Sequence, residues 1–512
     1  MPEHEVLIVG AGFGGIGAAI ALQKAGVDDV VIVDKWDGVG GTWLANTYPG
    51  VAVDIPAFIY SYSFEQRSDW SRLFAPGEEI REYAESVVDR YHLRSKLRLG
   101  TTITRCDFDP SEDVWRVQTD AGVTYTARYL VPAIGGLERP KLPDIEGIED
   151  FGGTLMHTAM WDHDVDLTGQ RVAVIGTGAT SLQLVPELAG VVGHLDVYQR
   201  TPIWVSPKVD FEVGPLARFV LTQPLVRFGL RAGGTVAAEA GLGGLMTLPA
   251  YAGDRLRGAA EARLRRWMGS QVEDPVLREK LIPAYGLGCK RPSMSNTYLR
   301  TFNRPDVDLV TDPIERVTAT SVVTAGGVEH PIDVLVCATG FNVMAERMTP
   351  PFPVVGPDRV DIRDRWHADH YRSYQGVSVP GYPNLFMVTG PYGFVIGSYF
   401  WMVEATSAHL ARVIASARRR GATNVEIRRR PYAEYVERCE RRTSGSFLFT
   451  DACAGSNTYY INYQGDAAVL RPSSHAEMWV ENRFFPLSNY RYRRMASPAP
   501  DVRPTRVRGG TR

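Results

Sequence analysis

The residues best placed to do chemistry begin with three glycines. Val6-Leu7-Ile8-Val9 is an apolar run suited to a buried parallel strand, and it leads into Gly10-x-Gly12-x-x-Gly15 and a helical stretch from Ile16 to Ala25. A strand, a tight turn and a helix N-terminus in that order offer free backbone N–H groups and a positive dipole end to a pyrophosphate. Gly10 permits the turn, Gly12 lets backbone approach the ligand, and Gly15 lets helix and strand pack closely. The next apolar run, Val30 to Val33, ends in Asp34, nineteen residues after Gly15, with Lys35 beside it. A carboxylate there can accept hydrogen bonds from a ribose hydroxyl, which suits FAD.

The pattern recurs. Val172 to Ile175 precede Gly176-Thr177-Gly178-Ala179-Thr180-Ser181, a second glycine turn in which Ser181 stands for the third glycine and loosens the match. The strand that follows, Leu195 to Gln199, ends in Arg200, where a cation suits the 2′-phosphate of NADPH; a solvated strand-end arginine is the alternative. An acidic-ended and a basic-ended unit in one chain are the minimum apparatus for passing a hydride from nicotinamide to flavin. Each unit also has a later strand closing on a glycine turn, Tyr129 to Ala133 before Ile134-Gly135-Gly136 and Val334 to Ala338 before Thr339-Gly340.

The elements that must hold these turns imply an α/β fold with two Rossmann-like dinucleotide-binding domains, one for FAD and one for NADP, and a helical insertion in the NADP domain. The expected division is 1–150 and 346–496 for the first domain, 151–205 and 286–345 for the linker and second domain, and 206–285 for the insertion. Within the insertion, the stretch from Asp254 to Met268 puts its charges on one face. The tail from 497 to 512, rich in Pro, Arg and Gly, is expected to be disordered.

At 512 residues and 44% hydrophobic content the chain can bury several cores, which argues against disorder. With 56 Lys+Arg against 58 Asp+Glu the net charge is -2, so no global field draws it to nucleic acid. The first residues lack a basic and apolar leader, and the stretch from Ala232 to Gly253 is too broken by glycine to span a bilayer; the expectation is a cytoplasmic protein with no membrane span. Five scattered cysteines without a C-x-x-C pair imply reduced thiols and are expected to exclude a zinc ribbon or a dithiol redox pair. His157 with His163, and His367 with His370, lack the third ligand and spacing of a metal site, so no metal is expected.

Phe151-x-Gly153-x-x-x-His157-x-x-x-Trp161-Asp162, just before the second glycine turn, resembles the fingerprint of Baeyer–Villiger monooxygenases. A second family pattern matches Gly40-Gly41-Thr42-Trp43, then Tyr48-Pro49-Gly50 and Asp54, and a third matches Lys290-Arg291 followed by Phe302-Asn303-Arg304-Pro305. The resemblance runs to about residue 490. It implies a FAD-containing, NADPH-dependent enzyme that inserts one atom of O2 beside a ketone carbonyl through a C4a-peroxyflavin, giving an ester or lactone. By the same resemblance Arg291 is the active-site arginine and Asp54 its partner. Gly41, Thr42, Trp43 and Asp54 lie toward the flavin, and Lys290, Arg200 and Thr201 hold the 2′-phosphate. Placed in a linker, His157 is expected to tie backbone across a hinge rather than to move a proton, with Trp161 as a packing residue.

Oxygen transfer to sulfur or nitrogen, with a sulfide in place of the ketone, is the nearest alternative. A disulfide reductase would need a cysteine pair near the flavin, and the expectation from the scattered cysteines is that none is present. A non-catalytic flavin or NADP sensor would keep the glycines without needing Arg291, Asp54 and the fingerprint together. Departures at Gly390-Pro391-Tyr392-Gly393-Phe394 and at Tyr459-Tyr460 keep the family's substrate pocket from being carried over. Tyr392, Phe394, Tyr399 and Phe400 are candidates for an apolar pocket or for core.

Overall fold

Two β-sheets grow from the two strand–turn–helix units, and each is ordered as its apolar runs require. In the computed structural model, which describes residues 2–239, 250–343, 345–347 and 349–494, the first strand is β1 (His4–Val9) and the second β2 (Val30–Val33). They pair in parallel, Val6 opposite Val30 and Val9 opposite Val33. All of these valines are buried, as befits strands covered on both faces. The sheet has seven strands in the order β17-β4-β5-β6-β1-β2-β3. Here β3 is Leu97–Arg98, β4 Ile103–Asp109, β5 Val114–Thr119, β6 Thr124–Pro132 and β17 Val354–Val355. It is mixed, with parallel pairing around β1 and an antiparallel meander through β4, β5 and β6.

The second sheet is parallel throughout, in the order β12-β9-β8-β16-β7. Its members are β7 (Thr154–His157), β8 (Arg171–Ile175), β9 (His194–Tyr198), β12 (Val307–Val310) and β16 (Val334–Cys337). The linker fingerprint therefore supplies the edge strand β7, with His157 opposite Cys337. Gly153 is required there, because a Cβ would lie 2.3 Å from the Asp333 carbonyl oxygen and 2.6 Å from the Phe151 ring.

Helix α1 (Phe13–Lys24) is buried on nearly every side and packs on the long helix α11 (Tyr399–Arg420); a Cβ at Gly17 would lie 2.5 Å from Val403. Phe400 sits in the first core against Phe13, Tyr60 and Tyr62, with ring centroids 4.6, 4.9 and 4.7 Å away. Tyr392 is buried in the same core.

The described parts of 206–285 hold α5 (Pro215–Leu221), α6 (Pro224–Ala238), α7 (Ala250–Gly269) and α8 (Pro275–Leu281). Some of their charges face inward, while Arg218, Arg263, Arg266, Glu279 and Lys280 are exposed. On α6, buried Arg231 donates to the carbonyls of Ile59 and Ser61 and lies 3.6 Å from Glu404, while Leu225 and Phe228 are 85% and 69% exposed. On α7, Arg257 stacks on Phe447, Glu261 accepts from the Leu287 N–H at 2.7 Å, and Arg265 lies over Trp204. The expected single charged face is therefore not what forms: 257, 261 and 265 share the docked face, while Arg263 and Arg266 lie exposed. The tail 497–512, expected to be disordered, lies outside the described residues, as does part of the stretch from Ala232 to Gly253.

The two glycine turns differ in one atom group. A Cβ at Gly15 would stand 1.8 Å from the Gly10 carbonyl oxygen. In the second unit the buried Ser181 donates its hydroxyl to the equivalent Gly176 carbonyl at 2.7 Å, so the serine closes the turn where the first unit relies on bare backbone. We expect Gly15→Ala to abolish soluble, flavin-loaded protein. Ser181→Ala should fold and lose about 0.5–1.5 kcal/mol, seen as a small drop in melting temperature.

Candidate active site

The first turn is drawn to the end of β2 by Asp34. Its carboxylate accepts from the Ala11 N–H at 2.5 Å and the Trp36 N–H at 2.9 Å. Burial nonetheless pushes its pKa up from the ordinary carboxylate value, and the two N–H groups only partly offset that. Lys35 pairs with Glu138. Gly12 and Gly41 approach so closely that a Cβ on Gly41 would lie 3.0 Å from the Gly12 Cα, and Gly41 has φ +57°. Gly41 precedes a single helical turn, α2 (Thr42–Ala45), from which Trp43 Nε1 donates to the buried Tyr60 hydroxyl at 3.1 Å.

The second turn opens helix α4 (Ala179–Leu188), with Gly178 at its N-cap and Thr180 in its first turn. A Cβ at Gly178 would meet no protein atom, so protein packing does not call for glycine there, whereas backbone approach to a phosphate does. The Thr177 hydroxyl donates to the Thr201 carbonyl at 3.0 Å, tying the turn to the end of β9. Exposed Arg200 follows β9. Lys290, brought in from a segment ninety positions further on, is pushed down to about 8, chiefly by burial and then by the neighbouring Arg200 guanidinium. Two like charges held near each other mark a place where a dianion would be stabilising.

Between the turns runs the segment from Tyr48 to Asp54. The Tyr48 hydroxyl donates to Gln183 Oε1 at 2.8 Å, Gln183 Nε2 donates to the Ala52 carbonyl at 2.9 Å, and a Cβ on Gly50 would lie 2.8 Å from the Gln183 carbonyl oxygen. Gln183 on α4 is thus the joint between the two units. No motif signals it, because its partners lie 131 and 135 positions away.

Asp54 and Arg291 meet side-on. Arg291 Nη2 donates to Oδ1 at 2.9 Å and Nε stands 2.8 Å from Oδ2. The Asp54 carboxylate holds the guanidinium above its usual pKa despite burial, so Arg291 is cationic at any working pH. Tyr460 is fully buried beside this pair, its hydroxyl pushed up by burial, with the Tyr459 ring 4.7 Å from its own.

Behind Arg291 the thiol expectation fails. Cys289 and Cys453 form a disulfide across a separation of 164 residues, while Cys106, Cys337 and Cys439 are free and buried. The bond and the Gly286 N–H to Ala452 carbonyl contact at 2.8 Å fasten the arginine segment to the loop that carries Tyr459 and Tyr460. Spacing alone could not show the pair, since only the folded chain brings the two loops together.

The remaining fingerprint residues lie apart from this pair. Phe151 packs on the second unit's core, and Trp161 packs on its other side. Asp162 accepts from the Asp164 N–H at 2.9 Å. His157 is buried, and its Nδ1 accepts from the Ala159 N–H at 3.1 Å. Burial lowers its pKa, so the ring is held neutral with the proton on Nε2.

Two glycine turns with unlike strand ends, joined through Gln183 and facing an arginine–aspartate pair, define a two-dinucleotide flavoprotein oxidoreductase. A family model described as pyridine nucleotide-disulphide oxidoreductase matches residues 7–223. A Baeyer–Villiger monooxygenase of Pseudomonas aeruginosa is 36% identical over 95% of this chain and 91% of its own length. Among solved structures, OTEMO in complex with FAD and NADP superimposes with a TM-score of 0.85 at 25% identity, covering 96% of this chain and 99% of its own. The closed form of cyclohexanone monooxygenase does so with a TM-score of 0.82 at 30% identity and the same coverage. The chain belongs to the Baeyer–Villiger monooxygenase family of flavin-dependent oxidoreductases.

The disulfide gives a direct test of the loop attachment. Cys453→Ser, or treatment with a dithiol, should lower the melting temperature by the equivalent of about 2–4 kcal/mol. An identical melting curve with and without reductant would show that the link contributes nothing.

Proposed function

We propose that this chain is a FAD- and NADPH-dependent Baeyer–Villiger monooxygenase that converts a ketone and O2 into an ester or lactone. The observation that carries the reading is the side-on pair of Arg291 and Asp54 set between an acidic-ended and a basic-ended nucleotide unit. Bound FAD supplies the oxygen-activating chemistry and NADPH the hydride.

The chain's own residues would divide the work as follows. Gly10, Gly12, Gly15 and Gly41 leave the backbone cradle for the FAD pyrophosphate, with Asp34 toward its ribose; Thr42, Trp43 and Asp54 lie on the flavin side. Gly176, Gly178, Ala179 and Thr180 open the second cradle. Arg200, Thr201 and Lys290 would hold the 2′-phosphate, supported by the mutual repulsion of the two cations. Arg291 touches Asp54 through Nε and Nη2, so its Nη1 group is not committed to that carboxylate. It can then face the oxygen on which negative charge develops as the carbonyl is attacked. A guanidinium stabilises that charge without giving up a proton. Asp54 sets the plane of the fork and keeps the local charge balanced. Tyr459 and Tyr460 stand beside the same arginine and are the nearest candidates to shape the ketone's binding.

Arg291→Ala should reduce ester formation by about a hundred- to a thousandfold. Reduction of bound flavin by NADPH under anaerobic conditions should persist in that variant. If ester formation survives, the assignment of Arg291 is wrong; a wild-type enzyme that oxidises sulfides but no ketone in a panel of both would favour the sulfur-oxygenating alternative. Lys290 makes a second prediction. Its amine is charged below about pH 8 and neutral above, so affinity for NADP should fall as pH rises through about 8 while affinity for NAD stays level. Fluorescence titration of both nucleotides across that range reads the difference, and parallel curves would remove Lys290 from the phosphate site.

A further inference from the structure

A cluster at the opposite end of the second sheet from its glycine turn is not used by any of this chemistry. His194 and Asp196 alternate on β9, so their side chains share one face, and Asp308 on β12 pairs in register with Asp196. His194 Nε2 lies 3.5 Å from Asp196 Oδ1 and 3.2 Å from Asp308 Oδ2. Among the described residues, these three are the group whose His and carboxylate atoms all fall within 4.8 Å of one another. His330, on β15 (Glu329–Pro331) of a small antiparallel sheet, places Nδ1 3.6 Å from the other oxygen of Asp196.

The energetics of Asp196 point to something missing. Its residue is 4% exposed, and Oδ1, the oxygen turned into the cluster, has no hydrogen-bond partner. A buried carboxylate without a partner is costly, and native structures rarely leave one so. The neighbours do not cure this by hydrogen bonding. Its charged neighbours are Asp308, which adds negative charge, and His194 and His330, which counter it only when protonated.

The spacing also fits a particular class of ligand. For a four-coordinate ion bound at 2.0–2.1 Å, neighbouring donor atoms stand about 3.3 Å apart. The two histidine–carboxylate separations bracket that value. We propose that His194 Nε2, Asp196 Oδ1 and Asp308 Oδ2 bind a divalent transition ion of the zinc class, with His330 orienting Asp196 from behind. The mixed imidazole and carboxylate set suits zinc, and three protein ligands leave a fourth position to water. Asp196 is four residues from Arg200, roughly 13 Å along an extended strand, so the ion would brace β9 against β12 from the far end of the sheet and take no part in hydride or oxygen transfer.

The test uses the flavin-loaded enzyme, stripped with a chelator and then equilibrated with zinc chloride. Metal retained after gel filtration should be about one ion per chain, with a raised melting temperature. His194→Ala and Asp308→Asn, both at exposed side chains and checked for normal flavin content, should lose both effects. His330→Ala should keep the ion with affinity lowered about 10–100-fold. Failure of the wild type to retain zinc would overturn the site, as would equal retention by His194→Ala and Asp308→Asn, which would place the ion elsewhere.

Discussion

The contact between Arg291 and Asp54 closes only if two separately wound sheets are held in one orientation, because the partners are 237 positions apart. That orientation rests on the short segment from Tyr48 to Asp54, which belongs to the first unit and is pinned to α4 of the second through Gln183. Gly50 is demanded there by the Gln183 carbonyl as much as by its own left-handed φ of 80°.

The insertion between β9 and β12 follows a different logic. A surface helix ordinarily turns its apolar stripe inward. Here α6 turns Arg231 inward onto carbonyls and leaves Leu225 and Phe228 outside, while α7 docks Arg257 on a ring alongside its apolar Leu264, Trp267 and Met268. Arg231 does this at some cost in desolvation, which lowers its pKa, and Glu404 partly offsets it. The charged face specifies where the helix sits, since a guanidinium among carbonyls has few alternative seats, whereas an apolar stripe would slide.

The arginine segment is held from behind as well as in front. Asp54 engages Arg291 itself, while the Cys289–Cys453 link and the Gly286–Ala452 contact hold its backbone to the loop bearing Tyr459 and Tyr460. The backbone that carries Arg291 is therefore tied to that loop.

Much of the fold was legible because its signals are local. Glycine turns, apolar runs and the acidic or basic strand end each occupy fewer than ten consecutive positions, and backbone sterics act over that range. The sequence by itself thus determined two nucleotide units, their unlike strand ends and the family to which Phe151, Gly153 and His157 point. Tertiary structure alone decided that Ser181 would close its turn by a hydrogen bond, that Arg257, Glu261 and Arg265 of α7 would face inward, that Gln183 would join the units, and that Cys289 would find Cys453. Those outcomes depend on groups separated by tens or hundreds of residues, or on which way a helix is rotated once docked. Periodicity tells which residues share a face but not what that face meets, and pairing energies appear only when the chain has already brought the partners within reach.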